Sequence, residues 1–300
     1  MEKIDFIATD GIKLNGFLYK SNKNTKDVIL AVHGMSSNCF KNRDEIIAKE
    51  ANKAKIDYFC FNNRGSELVK YIRKEIDGKK EKILGGTTYE DVLEGYEDIT
   101  GAIIKLKELG YENIFLQGHS LGCTKIVYTY NELKNEESDE LLNNIKGIIL
   151  LSLIDIPETL KFYLKNKYEE YIEFAQNKID NGQVCALMPT DAFIHPISVK
   201  TFLRYARDNE EINFANYSGD NDFKKLNNID KPLFMRWGND NEMILQKADE
   251  LVEIMNKKIQ NSQKDIGIVD GANHGYSDKE EIVAKQIVKF IETCIDFFAI

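Results

Sequence analysis

An α/β fold, with a doubly wound and mostly parallel sheet, is predicted by three observations. First, short continuous apolar runs recur, among them Val28–His33, Asp57–Asn62, Ile114–His119 and Ile145–Leu153. Such runs suit strands buried on both faces, as in parallel sheets. Second, segments of helical periodicity alternate with them, the clearest having Val92, Tyr96, Ile99, Ile103 and Leu106 on one face. Third, each run ends abruptly in a polar or glycine-bearing turn, as αβ units require.

The elements follow in order. Residues 4–20 read as two strands around the turn Asp10-Gly11. A buried strand ending at His33 precedes GMSSN, then a helix around Asn42–Ala54, then the strand ending in NRG. The helix of Tyr89–Lys107 closes at Leu109-Gly110, and the strand IFLQGH runs straight into the helix SLGCTKIVYTYNEL. After Ile145–Leu153 the pattern changes. From Asp155 to about Asp230 no buried strand is predicted; the aromatic-rich stretch Glu158–Ile179 and the shorter PISVKTFLRYA have helical period. Strand grammar resumes at Pro232–Trp237 and Ile266–Asp270, with a helix near Gln246–Lys257 between them. Ser277 and Glu280 form a capping-box pair ahead of a terminal helix. The expected organisation is therefore a core of residues 1–154 and 231–300, with residues 155–230 a mainly helical insertion.

Composition limits the function. The 300 residues carry 40 basic and 49 acidic side chains, a formal charge of −9, which disfavours nucleic acid as a partner because phosphate binding needs a basic surface. The five cysteines are scattered without C-x-x-C spacing, which argues against a disulfide framework or a structural zinc site. Neither a leader-like first segment nor a membrane span is present, so the expectation is a cytoplasmic protein without membrane insertion. No G-x-G-x-x-G or P-loop pattern suggests a cofactor, and none is expected.

The chemistry is carried by Gly118-His119-Ser120-Leu121-Gly122, a G-x-S-x-G pattern entered from a strand and left by a helix. A serine on such a turn has its hydroxyl presented outward, next to free helix N–H groups that favour negative charge. Its base must be one of four histidines. His274, in DGANHGYS just after the last strand, is placed to reach the strand ends. Asp240, two residues past Gly238, is the first candidate for the carboxylate that orients the base; Glu242 and Asp155 are the alternatives. Oxyanion donors are expected from the backbone N–H groups of Leu121 and Met35. His33, Ser36, His119, Met188, Phe193 and His195 are candidates to line the substrate pocket. The aromatic stripe Phe162, Tyr163, Tyr168, Tyr171 and Phe174 is expected chiefly to pack the insertion onto the core.

Together these residues resemble the α/β-hydrolase superfamily. The order Ser120, Asp240, His274 matches its Ser…acid…His order, HGMSS resembles its oxyanion loop, and FNNRGSE resembles its D-x-R-G-x-G turn, with Asn62 for the aspartate and Glu67 for the last glycine. Many members place the acid three residues after the glycine, where this chain has Asn241. The resemblance implies the α/β-hydrolase fold, with the insertion as a lid. It also implies a serine hydrolase of the esterase or serine-aminopeptidase-like kind, acting on a small-molecule acyl ester or thioester. Amide or C–C bond hydrolysis on the same residues, and a non-catalytic ligand-binding protein, are the rival readings.

Overall fold

The computed structural model describes residues 1–207, 211–215, 217 and 222–298. Its strands are β1 (Glu2–Ile7), β2 (Lys13–Tyr19), β3 (Asp27–Val32), β4 (Asp57–Phe61), β5 (Lys70–Ile76), β6 (Lys79–Gly85), β7 (Asn113–His119), β8 (Ile145–Leu151), β9 (Leu233–Gly238) and β10 (Lys264–Val269). Eight of them form one sheet in the order β1-β2-β4-β3-β7-β8-β9-β10. From β4 to β10 all neighbours are parallel, and only the β1–β2 and β2–β4 pairs are antiparallel. The five central strands are buried almost throughout, which accounts for their unbroken apolar runs.

The helices are α1 (Asn42–Lys53), α2 (Gly95–Glu108), α3 (Leu121–Asn135), α4 (Asp139–Leu142), α5 (Ile156–Leu164), α6 (Tyr168–Asp180), α7 (Val199–Ala206), α8 (Lys224–Asn227), α9 (Ala248–Lys258) and α10 (Glu280–Phe298). One face of the sheet is covered by α1 and α10, through Ile47, Ala51, Val283, Ile287 and Ile291. The other is covered by α2, α3 and α9, through Ile99, Ile103, Ile126, Val127, Leu251 and Met255. The chain leaves β3 towards β4 on one side and later returns to β7 on the other. The connections therefore diverge at the carboxyl ends of β3 and β7, the place where doubly wound sheets open a crevice for ligands.

Several local expectations are revised. The stretch Glu158–Ile179 is two helices, because the backbone turns at Lys165, which has φ +50°. The Ser277–Glu280 capping box does not form: α10 begins at Glu280, and the Ser277 N–H is held by Asn273 Oδ1 at 3.0 Å. Residues 70–85 form the separate β5–β6 hairpin, which the sequence reading leaves unassigned. Among its described residues the segment between β8 and β9 carries the helices α5 to α8 and one isolated bridge, between Leu187 and Ser198. It does not pack as one unit. Apolar residues from Ile154 to Ala206, with Ile212, cluster on Val92 and Leu121, whereas Phe214, Tyr217, Phe223, Leu226 and Ile229 join the main core under α3.

The FNNRGSE turn is built as its sequence suggests. Arg64 is buried and bridges Asp98, at 2.7 and 3.0 Å, and Asp10, at 3.0 and 3.1 Å. Glu67 sits at φ +65°, in the left-handed region that favours glycine, at the position where the resemblance expects one. Asn62 Oδ1 accepts the Cys39 N–H at 2.9 Å, an acceptor role an aspartate would fill equally. No helix among the described residues is long and apolar enough to cross a membrane.

Candidate active site

β7 ends at His119 and α3 begins at Leu121, so Ser120 alone makes the turn between them. Its backbone is at φ +54°, ψ −123°, a strained conformation for any residue with a Cβ. The Ser120 N–H is held by Leu151 O of the neighbouring strand at 2.9 Å. The flanking glycines are required by contact with main chain. A Cβ on Gly118 would lie 2.6 Å from Cys123 N, and one on Gly122 would lie 2.2 Å from Val32 O. Gly34, just past the end of β3, also approaches the turn, less tightly: its Cβ would be 3.0 Å from both Ser120 Cβ and His119 O.

This approach sets the loop Gly34–Ser37 against the start of α3. Among the described residues neither the Met35 N–H nor the Leu121 N–H has a hydrogen-bond acceptor, which leaves two backbone donors free beside Ser120. The loop is held from behind. Ser36 N donates to Thr87 Oγ1 at 2.7 Å, and Glu67 N donates to Ser37 O at 3.2 Å.

His274 lies in the loop after β10, and its Nδ1 is hydrogen-bonded to Glu242 Oε1. The expectation that Asp240 fills this place is corrected. Asp240 is exposed, and its carboxylate contacts Asn241 Nδ2 at 3.1 Å. The reason is the path of the chain after Gly238: Asp240 N is tied to Ala272 O at 2.9 Å, and Asn241 turns at φ +51°, which brings the next side chain, Glu242, inward. The longer glutamate side chain then spans the distance to the imidazole. Asp155, the other alternative, caps α5 through Glu158 N at 3.2 Å and accepts Tyr217 N at 3.2 Å.

Glu242 is 3 % exposed and ringed by donors: Gly238 N at 2.9 Å and Ser152 Oγ at 2.8 Å on Oε2, and Met243 N at 3.1 Å on Oε1. Burial pushes its carboxyl up. The hydrogen bonds and charge of His274, with Gly238 N and Ser152, outweigh that and hold it below the ordinary value. Ser152 and Tyr276 have no signal in the sequence pattern. Ser152 is fully buried at φ +53° at the end of β8, and its Oγ lies 3.0 Å from Tyr276 OH, which in turn donates to Arg236 O at 2.7 Å. Ser152→Ala removes one charge-assisted bond from Glu242, and about a tenfold fall in kcat with KM little changed is expected from steady-state kinetics on an ester.

The remaining predicted residues divide. His119 lines the cavity beside Ser120. Its Nε2 donates to His274 O at 2.7 Å, and burial keeps the ring neutral by pushing its pKa well below the ordinary value. Ser36 and Phe193 also line the cavity. His33 does not: it is buried, donates from Nδ1 to Gly34 O at 2.8 Å and accepts Asn63 N at 3.3 Å, and burial lowers its pKa to about 3. It is a neutral brace for the loop. Met188 is absorbed in the core of the insertion, and His195 stands outside the cavity with its ring 4.9 Å from that of Phe193. In the aromatic stripe Tyr168 and Tyr171 are buried, Phe162 is exposed, and Tyr163 lines the cavity.

That cavity, of about 760 Å³, lies between the strand ends and the insertion. Ser120, His274, Met35 and His119 form its floor, and Ile156, Leu160, Tyr163, Leu164 and Phe193 its opposite wall. Among the described residues no three His, Cys, Asp or Glu side chains come together to hold a metal ion.

A family described as "Protein of unknown function (DUF1749)" matches residues 85–296. No curated protein matches the chain. Solved structures match over nearly the whole length. A ferulic acid complex of Est1E from Butyrivibrio proteoclasticus has a TM-score of 0.65 at 17% identity, covering 97% of this chain and 99% of that one. The α/β hydrolase GrgF from Penicillium sp. sh18 has a TM-score of 0.67 at 15% identity, covering 97% and 98%. A soluble variant of monoglyceride lipase from Saccharomyces cerevisiae, in complex with a substrate analogue, has a TM-score of 0.63 at 14% identity, covering 96% and 94%. The fold is thus that of the α/β-hydrolases.

Proposed function

Because the chain belongs to the family described as "Protein of unknown function (DUF1749)" and has the α/β-hydrolase fold, we propose that it is a serine hydrolase cleaving a carboxylic ester or thioester through an acyl-enzyme. The observation that carries this reading is the meeting, in one cavity, of Ser120 on its strained turn and His274 backed by buried Glu242. Ser120 Oγ attacks the carbonyl carbon while His274 Nε2 takes the hydroxyl proton. Glu242 holds the Nδ1–H tautomer and offsets the imidazolium charge. The Met35 and Leu121 N–H groups receive the oxyanion. His274 then protonates the leaving oxygen or sulfur, and a water activated by the same ring hydrolyses the acyl-Ser120 ester.

His119 has a positioning role: its bond to His274 O fixes the loop that carries the base. The insertion acts as the lid, and its apolar wall takes an acyl or aromatic group. The lipase among the structural neighbours, and the ferulic acid and substrate analogue bound in two of them, are in keeping with this reading. A fluorophosphonate probe is expected to form one adduct, mapped by mass spectrometry to the peptide containing Ser120, and short acyl aryl esters are expected to turn over. An adduct elsewhere, or none together with no ester turnover, would remove the reading.

A further inference from the structure

The cavity has two unlike walls. Opposite the apolar wall of the insertion lies the start of α1, where Lys41, Asn42 and Arg43 line the cavity. Arg43 is only 6 % exposed. Its Nε and Nη2 donate to the neighbouring Asp44 at 3.2–3.4 Å, and Asp44 also accepts Tyr58 OH at 3.0 Å. Arg43 Nη1 has no hydrogen-bond acceptor among the described residues. The side chain is otherwise packed, and this nitrogen is not sealed from solvent, so the guanidinium presents one unpaired donor to whatever fills the cavity.

The groups around it point to what that partner is. Of the acidic groups that line the cavity, Asp191 is paired with Lys167 Nζ at 2.6 Å, and Glu280 accepts the neutral Asn42 Nδ2 at 3.0 Å and keeps its charge. Lys41, at the N-cap of α1, is exposed at the edge of the cavity, and the first turn behind it carries Asp44 and Glu45. What this wall offers a ligand is therefore two cationic donors, Arg43 Nη1 and Lys41 Nζ, that meet no acceptor among the described residues, within the cavity that also holds Ser120.

We propose that the cavity selects substrates carrying a carboxylate on one side of the scissile ester, paired by Arg43 and Lys41, with an apolar group on the other side under the insertion. The proposal rests on Ser120 being the nucleophile. A guanidinium can meet a carboxylate through its planar N–H groups, and a lysine adds a point charge. A neutral ester of the same length leaves the Arg43 donor unpaired.

The test compares 4-nitrophenyl hydrogen glutarate with 4-nitrophenyl methyl glutarate, which differ only in the free carboxylate. Wild type is expected to favour the acid by about tenfold or more in kcat/KM at low salt, the size of a hydrogen bond to a charged group. In Arg43→Met that ratio falls to about one, and in Lys41→Met it falls part of the way. Because Arg43→Met strands Asp44 and could unfold the chain, wild type is also assayed on the methyl ester with free glutarate or its diamide added. Inhibition by glutarate alone supports the proposal; equal effects overturn it. Equal turnover of the two esters also overturns it while leaving the serine-hydrolase reading intact. Failure of both esters, with no fluorophosphonate adduct on Ser120, would instead remove the nucleophile. Glutarate binding by calorimetry then decides the basic wall by itself: binding that Lys41→Met weakens upholds it, and its absence overturns it.

Discussion

Glu242→Gln is expected to lower kcat for an ester by about 10³- to 10⁴-fold, whereas Asp240→Asn stays within about twofold of wild type. The size follows from the donors around the carboxylate. Gly238 N and Ser152 Oγ donate to Oε2, and His274 and Met243 N meet Oε1. A glutamine must put its NH₂ on one side or the other. Placed at Oε2 it faces two donors; placed at Oε1 it faces Met243 N–H and forces His274 Nδ1 to accept, which moves the ring proton to Nε2 and takes the base away from Ser120. Asp240 is exposed and its carboxylate meets the side chain of its neighbour Asn241, so its charge has little to lose.

The same variant gives a signature in acid. The folded Glu242 carboxyl titrates below its ordinary value, so the folded chain holds fewer protons than the unfolded one near pH 4. Its stabilisation is complete above the unfolded value of about 4.3 and is lost as pH falls through the depressed folded value. Urea unfolding of wild type is expected to lose this contribution on going from pH 5 to pH 3, and Glu242→Gln to lack that part of the slope. Equal kcat losses in the Glu242 and Asp240 variants, or an unchanged acid slope, would displace Glu242 from its role.

The second large effect is on folding. Gly122→Ala is expected to cost about 3 kcal/mol, the upper end of ordinary overpacking. The added methyl would lie 2.2 Å from Val32 O and 3.0 Å from His33 O, which are main-chain atoms at the end of the central strand β3. Neither can yield without parting the turn from the sheet. Gly110→Ala is the control: its φ is +94°, but nothing lies within 4 Å, so only the backbone penalty of about 1–2 kcal/mol applies. Urea melts of the two variants distinguish a steric requirement at the turn from a general preference for glycine. A Gly122→Ala as mild as the control would show that the turn is not packed against β3.

The five-residue pattern around Ser120 was legible because it is local. Strand, turn and helix are contiguous, and the glycines needed for close approach lie within the same few residues. The place of His274 in the cavity of Ser120 was legible by elimination among four histidines and by its position after the last strand. Which carboxylate meets it was not. Asp240 and Glu242 stand two residues apart in one loop, and which of them turns inward depends on Asp240 N bonding to Ala272 O and on the positive φ of Asn241. Both are facts of how two loops meet, and residue type and spacing carry neither. His33 shows the same limit from the other side: a histidine in the expected loop is a buried brace, because Asn63 N and Gly34 O use both ring nitrogens.

The sequence by itself determined the α/β class, the central strands, the helical character of the segment between β8 and β9, and the serine on its turn. These rest on periodicity and on short-range sterics, which act between neighbours in the chain. Tertiary structure alone decided that Glu242 meets His274, that Ser152 and Tyr276 stand behind it, and that Phe214, Tyr217, Phe223, Leu226 and Ile229 pack with the core. It also decided that Arg43 faces the insertion across one cavity. Each of these joins residues from separate loops, and the parallel sheet fixes their meeting by bringing the carboxyl ends of β3, β7, β8, β9 and β10 to one edge.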